Sequence, residues 1–199
     1  MRENIPSLFA GISDGAKRIK HIVDELKNYV RDKSADLTES VDINEVIKSS
    51  VSLLSNMIKK STNRFSIKYG KNLPLLRGNF QRLEQVIINL IQNAFQALPD
   101  AKKSIFISVR LTNERSTIVI TVRDEGMGIP PDTLLNITDP FFTTKHESGG
   151  VGLGLSISSK IVEEHGGSMH FESEIGTGTT VEIKLPVESK KQTVKGKSE

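Results

Sequence analysis

Asp124 stands where a run with Ile118, Ile120 and Val122 on alternate positions gives out into glycines, in RDEGMGI at 123–129. A carboxylate at a strand end can accept a hydrogen bond from an exocyclic amine such as that of adenine. It would meet an acceptor if guanine entered, and a polar site of that kind discriminates more sharply than an apolar slot. Gly126 and Gly128 permit positive φ and remove side chains where a flat ring must approach. Asn89 and Asn93, four apart in QVIINLIQNAFQAL at 85–98, project from one helical face. Mg2+ takes oxygen ligands and keeps several waters, so a carboxamide oxygen with phosphate oxygens makes a workable set. Gly149, Gly150, Gly152 and Gly154, in GGVGLGLSIS at 149–158, lead into a helix whose N-terminus attracts phosphate. No GK[ST] follows and no strand immediately precedes, so this is neither a Walker loop nor a dinucleotide fingerprint. DPFFTTK at 139–145 offers Phe141 and Phe142 for packing over a ligand, and Thr143, Thr144 and Lys145 near the phosphates. GTGTT at 176–180 adds Thr179 or Thr180 as a phosphate hydroxyl. Each segment has a plainer alternative: a strand-end turn at 124–126, asparagines bonded to neighbouring backbone, a tight hairpin at 176–180. Together and in this order they describe a pocket for ATP.

These residues need elements to hold them. Asp42 as N-cap with Glu45 three residues on, then Ile43, Val46, Ile47, Val51, Leu54 and Ile58, predicts one helix. RFSIKYG at 64–70 alternates like a strand. A further helix runs from a cap at Asn79 to Leu98, burying Leu83, Val86, Ile87, Leu90, Ile91, Ala94 and Leu98. SIFISVRLT at 104–112 and STIVITVRD at 116–124 form a hairpin around NER. A helix over about 152–165 ends at Gly166 and Gly167, and SMHFESE and TTVEIKLP supply two last strands. Segregated strands and helices predict an α+β two-layer sandwich, one mixed sheet with helices on a single face. Ahead of it, Leu8, Ile12, Ile19, Val23, Leu26 and Val30 give a long amphipathic helix over 7–33 whose apolar stripe needs a partner helix. The polar stretch that follows, up to residue 41, reads as a linker.

Composition narrows the class. With 36% hydrophobic and 26% charged residues the chain fits a soluble globular protein, and without cysteine it has neither disulfides nor thiolate metal sites. No apolar run approaches membrane-spanning length, and no signal peptide opens the chain. The net charge of +3 comes partly from the tail, whose basic residues are not interleaved with aromatics, so no nucleic acid partner is expected.

DPFFTTK followed by GVGLGLSISSKIVEEHGG, with the asparagine helix, RDEGMGI and GTGTT, resembles the N, G1, F, G2 and G3 boxes of the sensor histidine-kinase ATP-binding domain. That family lies within the gyrase, Hsp90, histidine kinase and MutL group, and the resemblance implies its Bergerat-type fold. RIKHIVDELKNYVR at 18–31 is similar to the second helix of the kinase dimerisation hairpin. The implied domains are a partial dimerisation helix at 1–34, a linker at 35–41, the catalytic domain at 42–188 and a disordered tail at 189–199. The resemblance implies ATP and Mg2+ as cofactors, Asn93 as main metal ligand and Asn89 supporting it. Asp124 would read adenine with Gly126, Gly128 and Ile129 alongside. Phe141 would pack in the lid, with Thr144 and Lys145 near the phosphates. Gly150, Val151, Gly152, Leu153, Gly154 and Leu155 would wrap the triphosphate, helped by Thr179. It further implies a cognate response regulator as partner, a homodimer in the full-length protein and a cytoplasmic location.

In the ATP-hydrolysing relatives a glutamate stands four residues before the metal asparagine and activates water. Here that residue is Asn89, a poor base, and Glu84 points elsewhere on the helix, so transfer to a protein nucleophile is expected over hydrolysis. The four histidines are His21, His146, His165 and His170. None has the acidic neighbour and downstream proline of a phospho-acceptor, so the acceptor helix is expected outside this chain. His165 is expected as a favourable charge at a helix C-terminus. An ATP-gated binding module and an ATP-hydrolysing machine are the competing readings.

Overall fold

The computed structural model describes Gly15 and residues 37–144 and 150–187. Apart from Gly15, the helix expected over 7–33 lies outside the described residues, as do His21, Lys145, His146, Gly149 and the tail. The elements in chain order are β1 (Glu39–Val41), α1 (Ile43–Leu53), α2 (Ser55–Ser61), β2 (Arg64–Lys68), β3 (Leu76–Gly78), α3 (Phe80–Ala97), β4 (Ser104–Leu111), β5 (Thr117–Asp124), α4 (Pro131–Leu134), α5 (Gly154–Glu164), β6 (Ser168–Glu174) and β7 (Gly178–Pro186).

Five strands make one mixed sheet in the order β2-β4-β5-β7-β6. β2 runs parallel to β4, and the other pairs are antiparallel. A parallel pair needs a crossover, and α3 lies within the β2-to-β4 connection. Alternation aims Ile105, Ile107 and Val109 of β4, Ile118, Ile120 and Val122 of β5, and Val181, Ile183 and Leu185 of β7 at one core. α3 packs between α1 and α5 over this sheet. Its buried stripe is the expected one, except that Phe95 takes the last turn while Leu98 serves as C-cap. The α+β sandwich predicted from the sequence is the observed architecture.

Two boundaries and one capping detail differ. Residues 39–41, expected in the linker, pair antiparallel with β3, and Val41 joins the core. A three-residue strand carries too little periodicity to be read without its partner. The helix expected from Asp42 through Ile58 breaks at Leu54, which is buried and leaves α1 as its C-cap (φ −92°, ψ 4°). Ser50 Oγ donates to Val46 O at 2.8 Å within that last turn, a bond that bends helices. Asp42 does cap α1, accepting from Asn44 N–H at 2.8 Å, but Glu45 pairs with Lys48 instead of closing a capping box.

The C-terminus of α5 is held by a buried polar group. His165 Nδ1 donates to Ile161 O at 2.7 Å, and Nε2 accepts from the Asn79 N–H at 3.0 Å. One nitrogen must be bare to accept, so the ring is neutral. Burial first, and Arg82 nearby, hold its pKa below the ordinary value against the opposing Ile161 carbonyl and Glu164. The helix-end charge expected of His165 is therefore not what the fold uses. A pin between α5 and the cap of α3 is.

Candidate functional site

Where β5 ends and β7 begins, beside α3 and the start of α5, a cleft of about 310 Å³ opens. Asp124 and Thr179 are register partners at that end of the sheet. Asp124 is 6% exposed, and its Oδ1 accepts from Gly126 N–H at 2.8 Å and Thr179 N–H at 3.2 Å. A hub that sequence reasoning missed backs it. Ser173 Oγ accepts from Ile129 N–H at 2.8 Å, donates to Gly178 O at 2.9 Å and lies 2.9 Å from Thr179 Oγ1. With the serine proton on Gly178, the Thr179 hydroxyl donates to Ser173. Thr179 thus sits beside Asp124 with its hydroxyl proton engaged. A serine within a strand gives no sequence signal of this.

Several glycines turn out to be demanded by the protein itself. A Cβ on Gly126 would lie 2.6 Å from Asp124 Oδ1 and 2.7 Å from Ala97 Cβ. One on Gly128 (φ +74°) would overlap the Glu174 carbonyl, and one on Gly178 (φ +126°) the Asp124 carbonyl. The Met127 N–H donates to Ala97 O at 2.9 Å, so the end of α3, the 125–128 turn and the β6–β7 turn are stitched together. A Cβ at any of these three glycines would meet the protein's own chain, while Gly128 also lines the cleft. Gly152 (φ +76°) repeats the theme: a Cβ there would lie 2.6 Å from Phe141 C and Phe142 O. Phe141 N–H donates to Gly152 O at 3.0 Å while Phe141 itself sits at φ +68°.

Along the opposite wall, Asn89 Nδ2 donates to Gly154 O at 3.2 Å and to Ser158 Oγ at 3.3 Å. Asn93 lines the cleft one turn on and makes no side-chain hydrogen bond among the described residues. No side chain caps the first turn of α5. An unengaged carboxamide beside an uncapped helix start suits phosphate oxygens and a hard cation, so the residues present fit Mg-ATP. Among the described residues no cluster of three His, Cys, Asp or Glu could hold a metal ion.

The cleft brings together Asn89, Asn93, Asp124, Gly128, Ile129, Thr144, Gly150, Val151, Gly152, Gly154, Leu155 and Thr179. Three expected residues are placed otherwise. Gly126 sits behind Asp124, Leu153 is fully buried in the core, and Phe141 is 58% exposed while Phe142 lines the cleft. The positive φ of Phe141 turns adjacent phenylalanines to different sides, which spacing alone does not reveal. Lys145 lies outside the described residues. Lining residues the motifs did not flag are Gln92, Gln96, Met127, Thr133, Ile137 and Phe171 among others. Among the described lining residues Asp124 is the one carboxylate. Glu125 faces away, accepting from Ser104 N–H at 2.9 Å, a bond that holds its carboxyl below the usual range. Glu84 is not in the cleft.

A family model described as "Histidine kinase-, DNA gyrase B-, and HSP90-like ATPase" matches residues 78–189. The chain belongs to that family. Sporulation kinase E of Bacillus subtilis is 32% identical over 90% of this chain and 24% of its own length. The catalytic domain of histidine kinase ThkA superposes with a TM-score of 0.65 at 31% identity, over 75% of this chain and 97% of that one. ThkA solved in complex with response regulator protein TrrA gives 0.73 at 27% identity, over 94% of this chain and 53% of that one. Within the family, then, this histidine-kinase-type ATPase domain falls with sensor kinases. The chain spans between 20% and 39% of the length of the curated relatives it matches. Among the described residues of the domain, no helix is long and apolar enough to cross a membrane.

Proposed function

We propose that this domain binds Mg-ATP and passes the γ-phosphoryl group to a histidine on a dimerisation hairpin of a two-component sensor kinase. The observation that carries the reading is at position 89. The residue one turn before the cleft-facing Asn93 is a carboxamide tied to α5, and no described carboxylate but Asp124 lines the cleft. A water molecule at the phosphate end would find no carboxylate base but Asp124 among the described residues, whereas an imidazole brought in from outside carries its own lone pair. In this reading Asp124 accepts the adenine amine while two backbone N–H groups hold its carboxylate in place. Asn93 presents its oxygen to Mg2+, which when bound offsets phosphate charge. The segment from Gly150 to Leu155, which leads into α5, receives the triphosphate, and Thr144 and Lys145 supply a hydroxyl and a positive charge for it.

Neither described histidine suits the acceptor role. His165 is buried and bonded on both nitrogens, and His170 lies on β6 within 3.7 Å of Glu172. The acceptor in this reading comes from another helix or chain, with a homodimer, a cognate response regulator and a cytoplasmic setting as in a sensor kinase. The test is incubation with γ-labelled ATP and Mg2+, alone and with a separate hairpin protein bearing an acceptor histidine. Acid-labile, base-stable label on the hairpin supports the reading. Free phosphate without labelled protein would favour a hydrolase, and neither product would favour an ATP-gated binding module.

A further inference from the structure

Asn89, Gly154 and Ser158 close a triangle where α3 meets α5. Besides the two bonds from Asn89 Nδ2, Ser158 Oγ donates to Gly154 O at 2.8 Å. Ser158 is 0% exposed. The amide orientation follows from the partners: a carbonyl only accepts, so the Asn89 atom facing Gly154 must be nitrogen. With its proton on Gly154, Ser158 can only accept from Asn89, and the network is self-consistent. Gly154 is the first residue of α5, and its missing Cβ faces Asn89 alone, with Nδ2 3.8 Å away.

We infer that Asn89 is a positioning residue: through the Gly154 carbonyl and the Ser158 hydroxyl it fixes the direction of α5, and so of the N–H groups that meet the nucleotide's phosphates. The inference rests on the Mg-ATP reading and divides the two asparagines. Asn93 is unengaged among the described residues and turned to the cleft, while Asn89 is occupied as a donor. The start of α5 has no side-chain cap on its N–H groups; Leu153 is buried and Ser156 Oγ donates to its carbonyl at 2.9 Å, and the Asn89 bonds add the link from this turn to α3.

The two roles differ in their dependence on metal. A positioning residue matters whether or not Mg2+ is present, and a ligand matters only with it. We would measure binding of ATP and of adenosine to the full chain by calorimetry, in Mg2+ and in EDTA, for wild type, Asn89→Ala, Asn89→Asp, Ser158→Ala and Asn93→Ala. Positioning predicts that Asn89→Ala weakens ATP about tenfold in both media, with adenosine unchanged. General destabilisation would weaken adenosine too. Ser158→Ala should lose ATP affinity in the same metal-independent way, and the double variant should add little, because the two act as one unit. Asn93→Ala should lose affinity only with Mg2+.

Asn89→Asp separates the ideas most sharply. Aspartate is the better Mg2+ ligand but cannot donate to a carbonyl, so positioning predicts a loss at least as large as for alanine. Retained or tighter Mg-ATP binding in Asn89→Asp would overturn the inference, as would an unaffected Ser158→Ala. Should Asn89→Ala fail to fold, Ser158→Ala, which removes one oxygen, still decides. Failure of the wild type to bind ATP at all would instead sink the nucleotide reading, and this inference with it.

Discussion

His165 Nε2 and the Asn79 N–H meet at 3.0 Å across 86 residues of sequence, joining the C-terminus of α5 to the cap of α3. Only the neutral imidazole can make that bond. Above about pH 6.5, the ordinary histidine value, the ring is neutral in both folded and unfolded chains and its contribution is fully present. As the pH falls below that, the unfolded chain takes up the proton first, and stability declines until the lowered folded-state pKa is reached. Arg82, paired with Glu164, is the charged neighbour that reinforces the shift. Urea denaturation between pH 8 and pH 5 should show this loss. His165→Ala should lower stability at pH 8 by about 1–3 kcal/mol and flatten the slope.

Gly128 and Gly176 both adopt positive φ, yet alanine should act differently at each. At Gly128 the new Cβ would overlap the Glu174 carbonyl, whereas at Gly176 nothing lies within 4 Å. Gly176→Ala should cost about 1 kcal/mol, the left-handed penalty alone. Gly128→Ala should cost several-fold more, because backbone must move. Paired melting curves check this, and equal costs would mean the hairpin yields easily.

Asp124→Ala would leave the buried N–H groups of Gly126 and Thr179 without their acceptor. At about 1–3 kcal/mol for each unsatisfied group, the melting temperature should fall. Asp124→Asn can keep its oxygen toward both, so it should stay folded while losing at least tenfold in ATP affinity. Calorimetry alongside melting separates the structural share of Asp124 from its share in binding.

Gly152→Ala should displace the 141–142 backbone, whose atoms fill the room a Cβ would take. Phe141→Gly should do the reverse, relieving a left-handed conformation worth about 1–3 kcal/mol. ATP affinity is expected to fall in the first and hold in the second, with the melting temperature of the sheet core changed little by the first.

Much of this protein was legible before folding. Period-two runs at 104–111 and 117–124 and the period-3.6 stripe of α3 follow from local geometry, since a chain that buries one face must repeat at the period of its own backbone. The motif segments named the cleft because each puts its chemistry at an element's end, where that chemistry can face a ligand. β1 and the break at Leu54 were not legible, because both depend on partners elsewhere in the chain.

The sequence by itself determined the sandwich and the family, and it named about half of the residues that line the cleft. Only the tertiary structure decided what individual residues are for. The glycines at 126, 128 and 178 are fixed by chain packed against them, His165 is a neutral pin, Ser173 is a hub, and Asn89 is bound to α5 while Asn93 faces the cleft. Those roles rest on contacts between residues far apart in sequence. Residue type and spacing carry what one element does, and say nothing of which distant atom will occupy a given side of it.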